Sequence, residues 1–127
     1  MNKHFYQIMG RLLTQTATPA HYKENAEKVD SIMKIRRLAK KHHRLAEMDC
    51  NGEGWIKGTF YRLDGNYTGA YVKDDVSIFT AESDKIEEKI QALAAEVGLR
   101  AEFQGDPRGA TVKLFYGQTD LTCLLWD

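Results

Sequence analysis

Four residues with metal-binding or nucleophilic side chains lie close together in the sequence: His42, His43, Asp49 and Cys50. Consecutive residues of a helix point about 100° apart, so the two histidines would lie on different faces and would not bind one ion without a helix break. Cys50 follows the predicted helix, where the negative end of the helix dipole disfavours a thiolate. These side chains therefore predict neither a metal site nor a nucleophile.

Other catalytic patterns are missing from the sequence as well. Glu87 and Glu88 are adjacent on a predicted solvent-facing side of a helix, which is not the placement of a paired acid and base. The chain contains no P-loop, Rossmann glycine fingerprint, nucleophile elbow or HExxH motif. We therefore expect a protein that is not an enzyme and that uses no cofactor.

A run of basic residues is the clearest sign of a binding partner. Five formal positive charges fall within nine residues, at Arg36, Arg37, Lys40, Lys41 and Arg44. This face can meet an acidic protein surface or nucleic-acid phosphates, or it can simply be solvated. Single-strand binding also needs aromatic side chains among the basic ones, and none is interleaved in this run. A bacterial protein partner is our first expectation, and nucleic acid is the alternative.

Two further sets of residues are candidates for contacting a partner. Tyr61, Tyr67 and Tyr71 fall in predicted neighbouring strands, where they form either an exposed aromatic patch or cross-strand packing pairs. Arg108 lies at the tip of a predicted turn, where its guanidinium either meets a carboxylate or phosphate of a partner or pairs with Asp106. Both alternatives remain open at each site.

The composition is that of an ordinary globular domain. The chain has 127 residues, a formal net charge of +0 and two cysteines, which suit free thiols in a reducing compartment. Residues 20–50 hold eight Lys/Arg and five Asp/Glu, or +3, whereas residues 51–127 hold eight and thirteen, or −5. No apolar run is long enough to span a bilayer. We expect one domain, residues 1–127, in the cytoplasm and without membrane contact.

A long N-terminal helix is predicted over residues 20–48. Its apolar stripe consists of residues at helical spacing: Ile32, Ile35, Leu38, Ala39, His42, Leu45 and Ala46. His42 is either a core histidine bonded to a carbonyl or carboxylate, or a ligand-binding or pH-sensing group. Residues 1–18 form a separate short amphipathic segment that either docks on the core or forms a homodimer.

The second half of the chain predicts an antiparallel sheet with one packed helix. Period-two alternation predicts strands over residues 55–63, 67–72, 76–79, 99–104, 111–116 and 121–126. The helix over residues 83–97 is capped by Thr80 or Ser83. Hairpin turns are expected at residues 64–66 and 106–109. The predicted fold class is α+β, with an antiparallel sheet of about five or six strands, one packed helix and the long N-terminal helix.

The order of these parts resembles that of small, uncharacterised bacteriophage and prophage accessory proteins. The matching parts are His43-Arg44-Leu45-Ala46-Glu47, Cys50-Asn51-Gly52, the helix over residues 83–97, and the Gly105-Asp106-Pro107-Arg108-Gly109 turn with the strand that follows it. The resemblance implies a phage product that acts in the host bacterial cytoplasm by binding and inhibiting a host or defence component. It transfers no activity to any residue.

Overall fold

Helix α1, Pro19–Asn51, is the longest described element. The computed structural model describes residues 19–64 and 70–126, with side chains from residue 28 onward. Proline suits the first helical turn, where its missing N–H costs no hydrogen bond. At the other end, Gly52 adopts a φ of 80°, and its N–H donates to the Met48 carbonyl at 2.9 Å. The predicted long helix is thus confirmed.

One face of α1 is buried, as its apolar spacing predicts. The buried side chains on this face are Ile32, Ile35, Ala39, His42, Leu45 and Ala46. They pack against helix α2, Ile78–Glu96, whose Ile90 and Ala94 belong to the same core cluster. Burying one isoleucine side chain contributes about 1.5–3 kcal/mol, so this helix pair is a main source of stability.

A two-stranded hairpin follows α1, and the single strand predicted over residues 55–63 is wrong. Strands β1, Glu53–Ile56, and β2, Thr59–Arg62, pair antiparallel. Lys57 and Gly58, with φ values of 49° and 82°, make the two-residue turn between them. Left-handed residues at both turn positions match the twist of a hairpin, and glycine adopts this conformation without strain. Because the turn is only two residues long, the period-two pattern continues from β1 into β2, and the sequence alone therefore resembles one strand.

Helix α2 begins earlier than predicted, and the strand predicted over residues 76–79 is wrong. Ser77 is the N-cap, and its Oγ accepts from the Thr80 N–H at 3.1 Å. The same hydroxyl donates to Asp49 Oδ1 of α1 at 2.6 Å. This contact between distant residues fixes the start of the helix, since it holds the cap in place. The two predicted caps, Thr80 and Ser83, both lie within the helix, so that prediction is wrong.

A three-stranded antiparallel sheet packs on the helices. Its strands are β3, Arg100–Phe103, β4, Val112–Tyr116, and β5, Thr119–Asp120, in that order. The predicted pairing of β3 with β4 is confirmed. The predicted turn between them is also present, because the Gly109 N–H donates to the Asp106 carbonyl at 3.4 Å.

The described chain ends in a short helix, α3, Cys123–Trp126, so the strand predicted over residues 121–126 is wrong. The leucines buried here stand at helical spacing: Leu121, Leu124 and Leu125. The Trp126 Nε1–H donates to the Val112 carbonyl of β4 at 3.1 Å. Burying three leucines on one side outweighs the strand-like alternation of the sequence.

The fold class is α+β, as predicted, but the strands form two separate sheets of two and three strands. The prediction of one larger sheet with a single packed helix is therefore corrected, because two of its strands are helical and another is a hairpin.

Several predicted features lie outside the described residues. They are the segment 1–18, most of the turn at residues 64–66, and Tyr67 with the first half of the strand predicted over residues 67–72. In the described half of that strand, Tyr71 forms only an isolated antiparallel bridge with Ser77.

Candidate functional site

A groove of about 370 Å³ lies between α1 and α2, with the β1–β2 hairpin forming part of its wall. Five cationic residues and one carboxylate line it: Lys41, Arg44, Lys57, Lys85, Lys89 and Glu82. Clefts of this volume accept ligand groups or the side chains of a partner. The excess of positive charge favours an anionic occupant.

Most of the positive charge in this groove is not neutralised by the described side chains. The Lys85 ammonium lies 3.2 Å from Glu82 Oε1. Glu82 is the one carboxylate that lines the groove, so it neutralises Lys85 and not the other four cations. The other four cationic residues of the groove are exposed, and none forms an ion pair with another residue in the described part of the chain. These side chains are available to an external anion.

The floor of the groove is apolar. It is lined by Leu38, Leu45, Met48, Ile56 and Ile86. Trp55 also lines the groove; it is 64% exposed, and its ring lies 5.2 Å from that of Phe60. A largely exposed tryptophan beside unpaired cations is typical of a binding hot spot, because a rigid aromatic contributes large contact area.

Gly54 allows the hairpin to approach the end of α1. A Cβ atom at this position would collide with the Met48 Sδ and would lie 2.8 Å from the Met48 Cβ. Since real side chains do not tolerate such contacts, any larger residue would push β1 away from the helix. The close approach brings Trp55 to the wall of the groove.

The predicted basic face of α1 lies only partly in the groove. Lys41 and Arg44 line the groove, whereas Arg37 and Lys40 are exposed outside it. Arg36 is half-buried, and its Nη1 donates to the Leu124 carbonyl at 3.2 Å. Only two of the five basic residues therefore line the groove.

Tyr61 and Tyr71, two of the three tyrosines predicted to contact a partner, lie at or near the β1–β2 hairpin. Tyr71 is 46% exposed, and its hydroxyl donates to the Leu63 carbonyl at 2.6 Å. Tyr61 is half-buried in β2, directly opposite Gly54 in the antiparallel register. Neither residue lines the groove. Their predicted role in contacting a partner stays a prediction.

Arg108 pairs with Asp106, the second of its two predicted alternatives. Its Nη2 lies 2.8 Å from Asp106 Oδ2, and its Nε lies 3.1 Å from Oδ1. These side-chain bonds, together with the Arg108 backbone N–H, lower the pKa of Asp106 from 3.8 to about 2. The guanidinium is nevertheless highly exposed, since 88% of the side-chain surface remains accessible. A partner carboxylate would have to compete with this intramolecular pair.

His42 is a core histidine bonded to a carboxylate. The residue is 2% exposed, and its Nε2 lies 2.9 Å from Glu87 Oε2 on α2. An ionised carboxylate can only accept, so Nε2 carries the proton in this bond. The Nδ1 atom has no hydrogen-bond partner within the described part of the chain.

Cys50 and Cys123 are free thiols, as expected. Within residues 19–64 and 70–126, no group of three His, Cys, Asp or Glu side chains is arranged to hold a metal ion. Among the helices described, none has the length and apolar character needed to cross a bilayer.

No protein-family model, curated protein or solved structure matches this chain. The resemblance to phage accessory proteins therefore stays a prediction.

Apart from Lys41 and Arg44, the lining residues of the groove were not among the sequence candidates; those most suited to binding are Trp55, Lys57, Lys85 and Lys89. For Trp55 and Lys57, the sequence signal was a lysine followed by Gly58 between two short apolar runs, a pattern typical of a hairpin turn. For the two α2 lysines, i,i+4 spacing places them on one face of the helix. Their convergence with Arg44 depends on how the two helices pack, which no local pattern encodes.

Proposed function

We propose that this chain is a non-catalytic accessory protein of phage type that binds an acidic segment of a bacterial protein in the groove between α1 and α2. By occupying that segment in the host cytoplasm, it inhibits a host or defence component. The observation that carries the proposal is the groove itself, in which unpaired cations surround an apolar floor. The resemblance to phage accessory proteins supplies the setting.

The lining of the groove defines the chemistry of the occupant. An amphipathic helix with apolar residues at i, i+3 or i+4 and i+7 would place them on a floor that includes Leu45 and Ile86. Acidic residues flanking these anchors would meet Lys41, Arg44 and Lys89 at the rim. Nucleic-acid phosphates would satisfy the rim but would leave much of the apolar floor uncovered. An acidic amphipathic peptide matches both parts.

The N-terminal segment of the chain does not match the groove. Residues 1–18 contain Lys3 and Arg11 and no Asp or Glu, so they carry the same sign of charge as the groove. Like charges brought together in a groove repel, which disfavours this segment as the occupant. A homodimer formed through residues 1–18 is compatible with the proposal. Light scattering with and without these residues tests it.

Site-specific photo-crosslinking tests the proposed occupant directly. A photoreactive benzoylphenylalanine replaces Lys57 at the groove in one variant and Lys40 outside it in a matched control. After irradiation in bacterial cells, the crosslinked peptides are sequenced by mass spectrometry. The proposal expects acidic peptides with helical apolar spacing from the Lys57 variant alone. The same adducts from both variants, or adducts that are mainly nucleotides, would contradict it.

Nucleic-acid binding is the second candidate function, and the position of Trp55 favours it. This exposed ring lies in one groove with Lys41 and Arg44, which supplies the aromatic side chain that the basic run lacks in sequence. Binding of a single-stranded oligonucleotide should weaken as salt rises and should weaken further in Trp55→Ala. No response to any nucleic acid at low salt removes this candidate.

A further inference from the structure

Strand β3, Arg100–Phe103, forms one edge of the three-stranded sheet. It pairs with β4 on one side, and on the other side no strand of the described chain pairs with it. A cavity of about 200 Å³ is lined in part by Glu102, Phe103 and Gln104, so solvent reaches this end of the strand. An open edge presents unpaired backbone groups and can add a strand from another molecule.

The backbone groups of alternate β3 residues face this open edge. In an antiparallel pair, residues along one strand point their N–H and C=O groups alternately towards the partner strand and away from it. The Gln104 N–H donates to the Thr111 carbonyl, next to β4, at 3.0 Å. Gln104 therefore points towards β4, and the alternation directs the backbone groups of Phe103 and Ala101 away from it.

The bonds of Leu114 on β4 agree with this assignment. Leu114 lies opposite Ala101 in the register of the two strands. Its carbonyl accepts from the Leu121 N–H at 2.8 Å, and its N–H donates to Thr122 Oγ1 at 3.2 Å. Both backbone groups of Leu114 are thus used on the side away from β3, so the N–H and C=O of Ala101 face the open edge.

Two side chains of opposite charge flank Ala101. Arg100 and Glu102 form an ion pair within the strand, and their side chains are 57% and 52% exposed. An edge strand that only resists pairing typically carries lysines, which repel an approaching strand. The β3 edge instead carries one charge of each sign, one residue before and one residue after Ala101. This pattern is complementary to itself.

A second copy of β3, placed antiparallel about a two-fold axis at Ala101, satisfies both features. The two Ala101 residues then form a hydrogen-bonded pair, and each Arg100 lies opposite Glu102 of the other copy in a non-hydrogen-bonded pair. Side chains are closer together in such a pair than in a hydrogen-bonded one. Opposite charges directly across two strands are stabilising, whereas like charges are destabilising.

We propose that the open edge of β3 is a homodimer interface, in which β3 pairs with β3 of a second copy of this chain. The Ala101 N–H of each copy donates to the Ala101 carbonyl of the other, and the two three-stranded sheets become one continuous sheet. A single short strand pair buries little area, so the dimer is weak and reversible. No residue of β3 lines the groove between α1 and α2, so this interface does not depend on the function proposed for the groove.

Concentration-dependent measurements on the intact chain test the dimer. Sedimentation equilibrium from about 20 µM to about 1 mM should give a dissociation constant of about 50–500 µM. Over the same range, the nuclear magnetic resonance shifts of the Ala101 and Phe103 amides should change with concentration. A monomer at every concentration, or a dimer that forms without moving these amide shifts, would overturn the proposal.

Charge reversals test the register of the two strands. Arg100→Glu and Glu102→Arg each place like charges opposite one another in the dimer, so each variant alone should dimerise roughly tenfold or more weakly. An equimolar mixture of the two variants restores opposite charges across the interface and should form a heterodimer of about wild-type affinity. This recovery also shows that both variants fold. Arg37→Glu, a reversal at an exposed position on α1, is the control and should leave dimerisation unchanged.

A dimer formed through residues 1–18, or through another surface, would persist in both single variants. That result, or a mixture that associates as weakly as its two components, would overturn the pairing of β3 with itself.

Discussion

His42 Nε2 of α1 lies 2.9 Å from Glu87 Oε2 of α2, within the contact between the two long helices. Different faces of α2 line two cavities on this contact. Lys85 and Lys89 line the basic groove, whereas Asp84 and Glu87 line a smaller cavity of about 150 Å³. Residues that adjoin in sequence therefore line cavities of opposite charge, because the helix turns them to different faces.

The His42–Glu87 bond should contribute more to stability than the similar pair of His43 and Glu47. The latter lie 3.2 Å apart, with side chains that are 28% and 55% exposed, whereas the His42 side chain is 3% exposed. Glu87→Ala leaves a buried donor unpaired and should lower the free energy of unfolding by about 1–3 kcal/mol. Glu47→Ala should change it by less than about 0.5 kcal/mol. Urea unfolding of both variants measures the difference, and equal losses would contradict the assignment.

Ser77 should behave as the cap of α2 and Ser83 should not. Ser77→Ala removes the hydrogen bonds to the Thr80 N–H and to Asp49. It should lower the free energy of unfolding by about 0.5–2 kcal/mol. Ser83→Ala removes only a bond to the Thr80 carbonyl within the helix, and it should cost less than about 0.5 kcal/mol. Thermal unfolding compares them. A greater loss in Ser83→Ala would restore the helix start predicted from the sequence.

The approach of Gly54 to Met48 should control the position of Trp55. Gly54→Ala places a methyl group against the Met48 side chain and should cost about 1–3 kcal/mol through overpacking. It should also change the fluorescence of Trp55, measured in a Trp126→Phe background. Met48→Ala removes part of the clash, so the costs of the two substitutions should not add. Strict additivity of their free energies of unfolding would show that the two residues do not touch.

Asp106 should titrate at an unusually low pH. Its pKa is lowered from 3.8 to about 2, chiefly by the side-chain hydrogen bonds of Arg108. Because the folded-state pKa lies below that of the unfolded chain, the stabilisation by this pair is present above about pH 4 and is lost as the pH falls towards 2. Carboxyl carbon shifts measured by nuclear magnetic resonance report the midpoint. Arg108→Gln should move it towards 3.8, and an unmoved midpoint would exclude the pair as the cause.

Local chemistry was sufficient to predict the parts of the fold that depend on nearby residues. The long helix, the β3–β4 pairing and the Asp106 turn follow from periodicity and turn residues. The errors occur where contacts between distant residues decide. Ser77 caps α2 while bonded to Asp49, and the Trp126 indole is held by a β4 carbonyl. These hydrogen-bond partners are more than ten residues apart in the sequence, so local sequence patterns cannot identify them.

The candidate site was predictable only in part for the same reason. Lys41 and Arg44 were identified because a basic run is visible in sequence. Their neighbours Lys89 and Trp55 come from other elements, and only the packing of α2 and the hairpin against α1 brings them together. The carboxylate partner of His42 is likewise distant, 45 residues along the chain.

The most direct test of the proposed function is the affinity of the crosslinked acidic segment, made as a synthetic peptide, for three forms of the protein. They are the wild type, the double variant Lys41→Glu/Arg44→Glu in the groove, and Lys40→Glu outside it. We predict that the double variant binds roughly tenfold or more weakly, a change of at least about 1.4 kcal/mol, while Lys40→Glu binds within about threefold of the wild type. Equal weakening in both variants, or wild-type affinity in the double variant, would contradict binding in the groove.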